Sequence, residues 1–156
     1  MKSIFVSVMF LSMFNAKGFT QDATVLRKQN FNLETNIGIQ GYDPVAYFKE
    51  NKAVKGKSEI SVSYLGVIYY FSSLEDKNAF AKDPAAYEPQ YGGWCAYAMG
   101  KSGEKVEVDP STFKIVNGKL YLFYNKYFNN TLKSWNKDEA NLKTKADANW
   151  QKIFHS

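Results

Sequence analysis

An α+β domain is the architecture that this chain predicts. Ile60, Val62 and Tyr64 alternate with Glu59, Ser61 and Ser63, the period of a half-buried strand, and Leu65-Gly66 leads into the apolar run 67–71. Asn117-Gly118 separates two further β-rich runs, 113–116 and 119–124, and is the strongest short-range hairpin signal. Leu142, Ala146, Trp150 and Ile153 recur at four, four and three, which is one face of a helix. The strands precede the main helices instead of alternating with them. That order favours two β-hairpins forming small antiparallel sheets packed with two or three helices.

Each element follows from local chemistry. Residues 19–39 are polar and unpatterned and read as a loose arm with one short strand or helix turn. Asp43-Pro44 opens a turn, and Pro44 suits the first position of a short helix. Residues 51–58, rich in Lys and Gly, read as a loop. The continuous run 67–71 marks a more buried strand than 59–64. Ser73 stands three residues before Asp76 as a cap, and the helix it opens should run over 74–82 and bury Leu74, Ala79 and Phe80. Asp83-Pro84 ends it, because a residue before proline avoids the α region. Residues 101–105 read as a loop, 106–108 as a short strand, and Asp109-Pro110-Ser111 as a turn. Tyr127, Leu132 and Trp135 suit one helix ending near Asn136, and the face carrying Leu142 suits a second.

Composition sets the outer bounds. The chain has 156 residues, 17% of them aromatic, with one Cys and one His. This suits a single domain large enough to fold without disulfide or metal. One His and one Cys cannot build a four-cysteine, mixed two-cysteine two-histidine, three-histidine or blue-copper site within one chain. The N-terminus reads as a targeting segment: Lys2, an apolar run over residues 4–14, then the small-x-small site Ala16-Lys17-Gly18. The run is too short to span a bilayer as a helix, which needs about 20 residues. Residues 1–18 are therefore expected to be a signal peptide, leaving an exported chain, periplasmic or secreted, with no stable membrane anchor after cleavage. Cleavage lowers the net charge from +5 to +3 by removing Lys2 and Lys17. The remaining lysines are scattered among acids, which argues against a nucleic-acid partner.

Several segments together resemble the YHS-domain family, in particular its exported bacterial branch. They are Gly41-Tyr42-Asp43-Pro44-Val45-Ala46-Tyr47-Phe48, Tyr64-Leu65-Gly66-Val67-Ile68-Tyr69-Tyr70-Phe71-Ser72-Ser73, Phe80, Asp83-Pro84, Tyr87, Gln90-Tyr91-Gly92-Gly93-Trp94-Cys95-Ala96-Tyr97, Asp109-Pro110, Gly118-Lys119-Leu120-Tyr121 and Ala146-Asp147-Ala148-Asn149-Trp150. The matches cover roughly residues 40–150, in order. The resemblance implies a treble-clef-like core within residues 40–156, extended by C-terminal helices, and a metal-handling role. In metal-associated members, Asp-Pro-Val is followed by Cys, and a strand-ending Phe by Cys-Ser-x-x-Cys. Those three cysteines fall here on Ala46, Ser72 and Asp76, so all three thiols are absent. The resemblance therefore implies the fold more strongly than the metal.

Cys95 is the residue that chemistry singles out, and four readings of it stand. It is a buried small hydrophobe, a Cu(I) ligand together with Met99 four residues on, one half of an intermolecular disulfide in a homodimer, or a reactive thiol. Tyr42, Asp43, Tyr91, Gly92, Gly93, Trp94 and Tyr97 are candidates to line a ligand pocket. Tyr and Trp pair an apolar body with a polar tip, and glycines admit close backbone approach. Asp43 and Asp109 each precede proline, where Asp caps turns. Asp147 lies beside Lys143 and Lys145. His155 is penultimate, where chain ends fray. The expected function is an exported, non-enzymatic YHS-like binding module that handles copper or another transition-metal ion through Cys95. The alternative is a structural or protein-interaction domain without metal, in which Cys95 is core. An enzyme built on Cys95 ranks third, since it needs a base within hydrogen-bond reach.

Overall fold

Left-handed backbone angles recur along this chain, and four adjacent pairs of them turn hairpins. In the computed structural model, which describes residues 16–155 and side chains from Asp22 onward, Thr35-Asn36, Leu65-Gly66, Asn117-Gly118 and Tyr127-Phe128 all have φ between 45° and 83°. Two central residues at positive φ make a type I′ turn, whose twist matches that of the flanking strands. These turns join β1 (Leu33–Glu34) to β2 (Ile37–Gly38) and β3 (Lys57–Tyr64) to β4 (Val67–Phe71). They also join β5 (Asp109–Val116) to β6 (Lys119–Phe123) and β7 (Asn125–Lys126) to β8 (Asn129–Asn130). The molecule is α+β, with twice the expected number of hairpins.

Seven helices are described: α1 (Ala16–Asn30), α2 (Ala46–Lys49), α3 (Leu74–Lys82), α4 (Pro84–Tyr87), α5 (Ala96–Lys101), α6 (Thr131–Trp135) and α7 (Glu139–Phe154). Two or three were expected; α2, α4, α5 and α6 are each four to six residues long, too short to show a helical period. The expected loose arm is instead α1 followed by the β1–β2 hairpin. Ser73 caps α3 by accepting from the Asp76 N–H at 3.1 Å. Phe80 faces inward as expected, but Leu74, at the first position of α3, is 64% exposed. Tyr127 leaves the expected helix for a hairpin tip. The targeting segment expected over residues 1–18 lies largely outside the described residues. No helix among the described residues is long and apolar enough to cross a membrane.

The strands form three sheets. The largest runs β1-β2-β4-β3, with β2 parallel to β4 and the other neighbours antiparallel. β5 pairs with β6 and β7 with β8. The register of β5 shifts between Asp109 and Phe113. There Asp109 Oδ1 accepts from the Ser111 N–H at 2.9 Å, so the expected Asp-Pro-Ser turn is a bulge inside the strand. Residues 106–108, expected as a strand, precede it without regular structure.

β6 divides the interior into two cores. Leu120 and Leu122 point into a cluster with Val45, Tyr47, Val67, Phe71, Phe80 and Cys95. Tyr121 and Phe123 point the other way, into a cluster with Tyr91, Met99, Trp135, Leu142 and Ala146. Successive side chains of a strand face opposite sides, and here both sides are buried. α5 and α7 close the second core. A Cβ on Gly100 would lie 2.4 Å from the Leu142 carbonyl oxygen, so only glycine permits that crossing.

Candidate functional site

Cys95 sits where the chain leaves a left-handed turn and enters α5. Tyr91, Gly92 and Gly93 have φ of 56°, 60° and 85°, and the strand-like step after them sets Cys95 parallel to Leu122 of β6. Cys95 has φ −59° and ψ 115°, outside helical geometry, and α5 begins one residue later. The Cys95 carbonyl accepts from the Met99 N–H at 3.0 Å, but as the residue before the first turn Cys95 does not share the helical face of Met99. The Cys95 side chain packs in the first core and Met99 in the second, so the structure does not join them into a thiolate–thioether pair.

The thiol has its own polar partners. The Tyr124 N–H donates to Cys95 Sγ at 3.4 Å, and Thr131 Oγ1 also lies 3.4 Å from it. Thr131 donates its hydroxyl proton to the Tyr124 carbonyl at 2.9 Å. A hydroxyl has one proton to give, so toward Cys95 it accepts, and the Cys95 S–H donates. Cys95 is completely buried as a residue, yet it forms part of the wall of an open cleft of about 400 Å³. Tyr97, Ala98 and Lys101 of α5, with Tyr124, Asn129 and Thr131 from the β6–α6 stretch, also line it. Glu104 lines it too and accepts from Ser102 at 3.0 Å, while Lys101 Nζ stands 5.6 Å from the centre of the Tyr97 ring. His155 lines a different groove, with Leu26 and Phe154, so the chain's imidazole is not a base for this thiol.

The positions that the family resemblance assigns to metal-binding cysteines meet in a second place. Asp43 Oδ1 accepts from the N–H groups of Val45 and Ala46 at 2.9 and 3.3 Å, closing the turn that leads into α2. Asp43 Oδ2 accepts from the Ser72 N–H and hydroxyl at 2.7 and 2.8 Å. Ser72 Oγ also lies 3.2 Å from Asp76 Oδ2, and Lys49 Nζ is 3.0 Å from Asp76 Oδ1. Ala46, Ser72 and Asp76 thus belong to one hydrogen-bonded knot, closed by an ammonium group from α2. Burial pushes the Asp43 carboxyl above the ordinary aspartate range, against its hydrogen bonds from Ser72 and Val45, and the Asp76 charge adds to the rise. Burial acts the same way on Asp76, but Lys49, Ser73 and Ser72 together outweigh it and hold that carboxyl below its usual range. Among the described residues, no three His, Cys, Asp or Glu side chains are grouped to hold a metal ion.

The remaining candidates are dispersed. Tyr42 lies under Lys55, whose Nζ is 4.5 Å from the ring centre. Tyr91 donates to Asp147 at 2.8 Å, and Trp94 Nε1 donates to the Asn30 carbonyl at 2.7 Å. A Cβ on Gly92 would meet Phe31 and Trp150 at 2.8 Å, so the chain's own rings fill that approach. Asp43, Asp109 and Asp147 share no hydrogen-bond partner. Of the residues singled out from sequence, Cys95 and Tyr97 reach the cleft. Tyr124, Thr131, Lys101 and Glu104 were missed. They follow no motif, and only the docking of β6 against residues 89–95 brings them together. Comparison with protein-family models, with curated proteins and with solved structures returns no match.

Proposed function

We propose that this chain is an exported, non-enzymatic binding module of the YHS type, and that its ligand site is the cleft beside Cys95. One observation carries this reading. The cleft, at about 400 Å³, falls in the range of small-molecule sites, roughly 300–1,000 Å³, and combines aromatic walls from Tyr97 and Tyr124 with a charged rim from Lys101 and Glu104. That lining suits a small organic ligand with an apolar body and a polar end. The meeting of Ala46, Ser72 and Asp76 in one knot supports the YHS resemblance. Copper handling, which the resemblance implies, would use the Cys95 thiol, but Met99 sits in the other core and Cu(I) favours several soft donors.

The test compares the protein with its Cys95→Ala and Ala98→Trp variants, each recovered after export. Native mass spectrometry reads any organic ligand carried through purification, and elemental mass spectrometry reads copper after a Cu(I) challenge under reducing conditions. A ligand present in the unmodified chain and lost when the indole of Ala98→Trp fills the cleft supports the organic-ligand reading. Near-stoichiometric copper that vanishes in Cys95→Ala moves the assignment to metal handling. Neither ligand nor copper in any of the three sinks the binding-module reading.

A further inference from the structure

The β7–β8 hairpin breaks a rule that the other three tips keep. Asn36, Gly66 and Gly118 hold the second tip position of those hairpins, and Asn and Gly are the residues that tolerate left-handed backbone. The fourth tip instead places Tyr127 and Phe128 at φ 52° and 62°. Both side chains stand outside the fold, 88% and 112% exposed. Two bulky residues thus accept backbone strain and lose contact with both cores at the same place. Strain of this kind persists at sites of function.

Along the chain, the charge flanking the tip has one sign, while in space Glu104 lines the same cleft as Asn129 of β8. From residue 110 to 137 the chain carries five lysines, at 114, 119, 126, 133 and 137, and no acid. Lys114 pairs with Glu139; the other four make no ion pair among the described residues. Lys126 directly precedes the tip, and Lys133 lies in α6, which β8 leads into. A second protein chain is a poor match for this feature. Two aromatic side chains bury about 150–250 Å² each, against roughly 800 Å² per partner in a stable interface, and a two-residue tip is convex. A lipid surface requires neither the area nor a complementary hollow. Aromatic rings settle at the headgroup level, and basic residues beside them are drawn to anionic lipid.

We propose that the Tyr127–Phe128 tip docks this protein on an anionic lipid surface, with both rings entering the headgroup layer and Lys126 and Lys133 meeting its charge. The proposal stands independently of the cleft reading. It is tested by co-sedimentation of the full chain with vesicles of equimolar phosphatidylcholine and phosphatidylglycerol. Residues 4–14 are apolar on their own, so every result is a difference between two chains that share them. Tyr127→Asn combined with Phe128→Gly supplies the residue types that this turn prefers. Its vesicle affinity should fall about tenfold or more, while its thermal midpoint holds or rises as the strain is relieved. Phe128→Trp should keep the affinity and show a blue-shifted emission on adding vesicles that the unmodified chain lacks. Added salt should weaken the binding of the unmodified chain and narrow its difference from the Asn-Gly variant. Equal sedimentation of the unmodified chain and the Asn-Gly variant overturns the proposal. So does a variant that loses self-association in sedimentation velocity while its vesicle binding is unchanged, which would make the tip a contact between copies. Phe128→Ser alone is judged by the same comparison if the double variant misfolds.

Discussion

Arg27 is 7% exposed, and a guanidinium that deep must be compensated. Its Nη1 donates to Glu88 Oε2 at 3.1 Å and its Nη2 pairs with Glu88 Oε1; the Tyr69 hydroxyl donates to that same carboxylate at 2.6 Å. Phe31 and Tyr64 cover the cation at 4.4 and 5.2 Å from their ring centres. Arg27→Ala would leave Glu88 charged, enclosed and without its cation. We expect it to destabilise the fold by about 3–5 kcal/mol in urea titration, and a loss below about 1 kcal/mol, typical of an exposed pair, would show that the pair is merely decorative. Asp76 contributes to the acid limb of stability, as Glu139 does through Lys114. The folded Asp76 carboxyl titrates below the ordinary aspartate value, so its contribution is complete above that value and drains away as pH falls through the folded one. Asp43 has the opposite sign. Its raised folded pKa means that the fold takes up that proton first, so acidification through its range favours the folded state. Asp76→Asn should lower stability by about 1–3 kcal/mol at neutral pH, with the deficit narrowing below about pH 4. Urea titrations at the two pH values decide it, and an unchanged deficit would remove Asp76 from the acid limb.

Gly100 shows how much of an element's placement hangs on one missing atom. Its Cα packs so closely on α7 that an added Cβ would fall 2.4 Å from the Leu142 carbonyl oxygen and 3.0 Å from its carbonyl carbon. Backbone cannot swing aside as a side-chain tip can. Gly100→Ala should therefore force α5 and α7 apart and destabilise by about 1–3 kcal/mol or more, despite alanine's better helix propensity, and a gain in thermal midpoint would contradict this. Elements were legible in the sequence where local chemistry suffices. Ser73 caps α3, Asn117-Gly118 turns β5 into β6, and the Leu142–Ala146–Trp150 face places α7. They were illegible where tertiary contact overrides propensity. α1 buries the charged Arg27 among its few half-buried apolar residues, and Phe31 packs just beyond its end, so the segment reads as an arm. Tyr127-Phe128 contradicts type I′ chemistry, so the fourth hairpin looked like helix. For the candidate site, Cys95 and Tyr97 stood out as residue types. Thr131 and Tyr124 did not, because their meeting with Cys95 depends on long-range pairing. Met99 enters through a four-residue spacing that shares a face within a helix or within a strand, and Cys95 stands at the junction before α5, where neither pattern continues.

At the scale of the whole molecule, β6 decides whether the two cores behave as one. Leu122 faces the first and Phe123 the second, and both are completely buried. Neither core can lose its β6 wall without stripping the other of alternate side chains. The segment 89–95 ties the arrangement further, because Pro89 and Cys95 bridge to Leu120 and Leu122 while Tyr91 between them packs in the second core. Two cores that share a strand should unfold in one transition, unlike two domains joined by a linker. Leu122→Ala should cost about 2–5 kcal/mol and Phe123→Ala about 3–5 kcal/mol. Each loss should appear across the molecule. Native-state hydrogen exchange is the discriminating measurement, because it reads opening free energy element by element. Slowly exchanging amides of β4, beside the first core, and of α7, beside the second, should fall together in both variants by the full loss in global stability. If Leu122→Ala speeds exchange in β4 and spares α7, while Phe123→Ala does the reverse, the cores are separate cooperative units. β6 would then be a boundary between them rather than the strand that unites them.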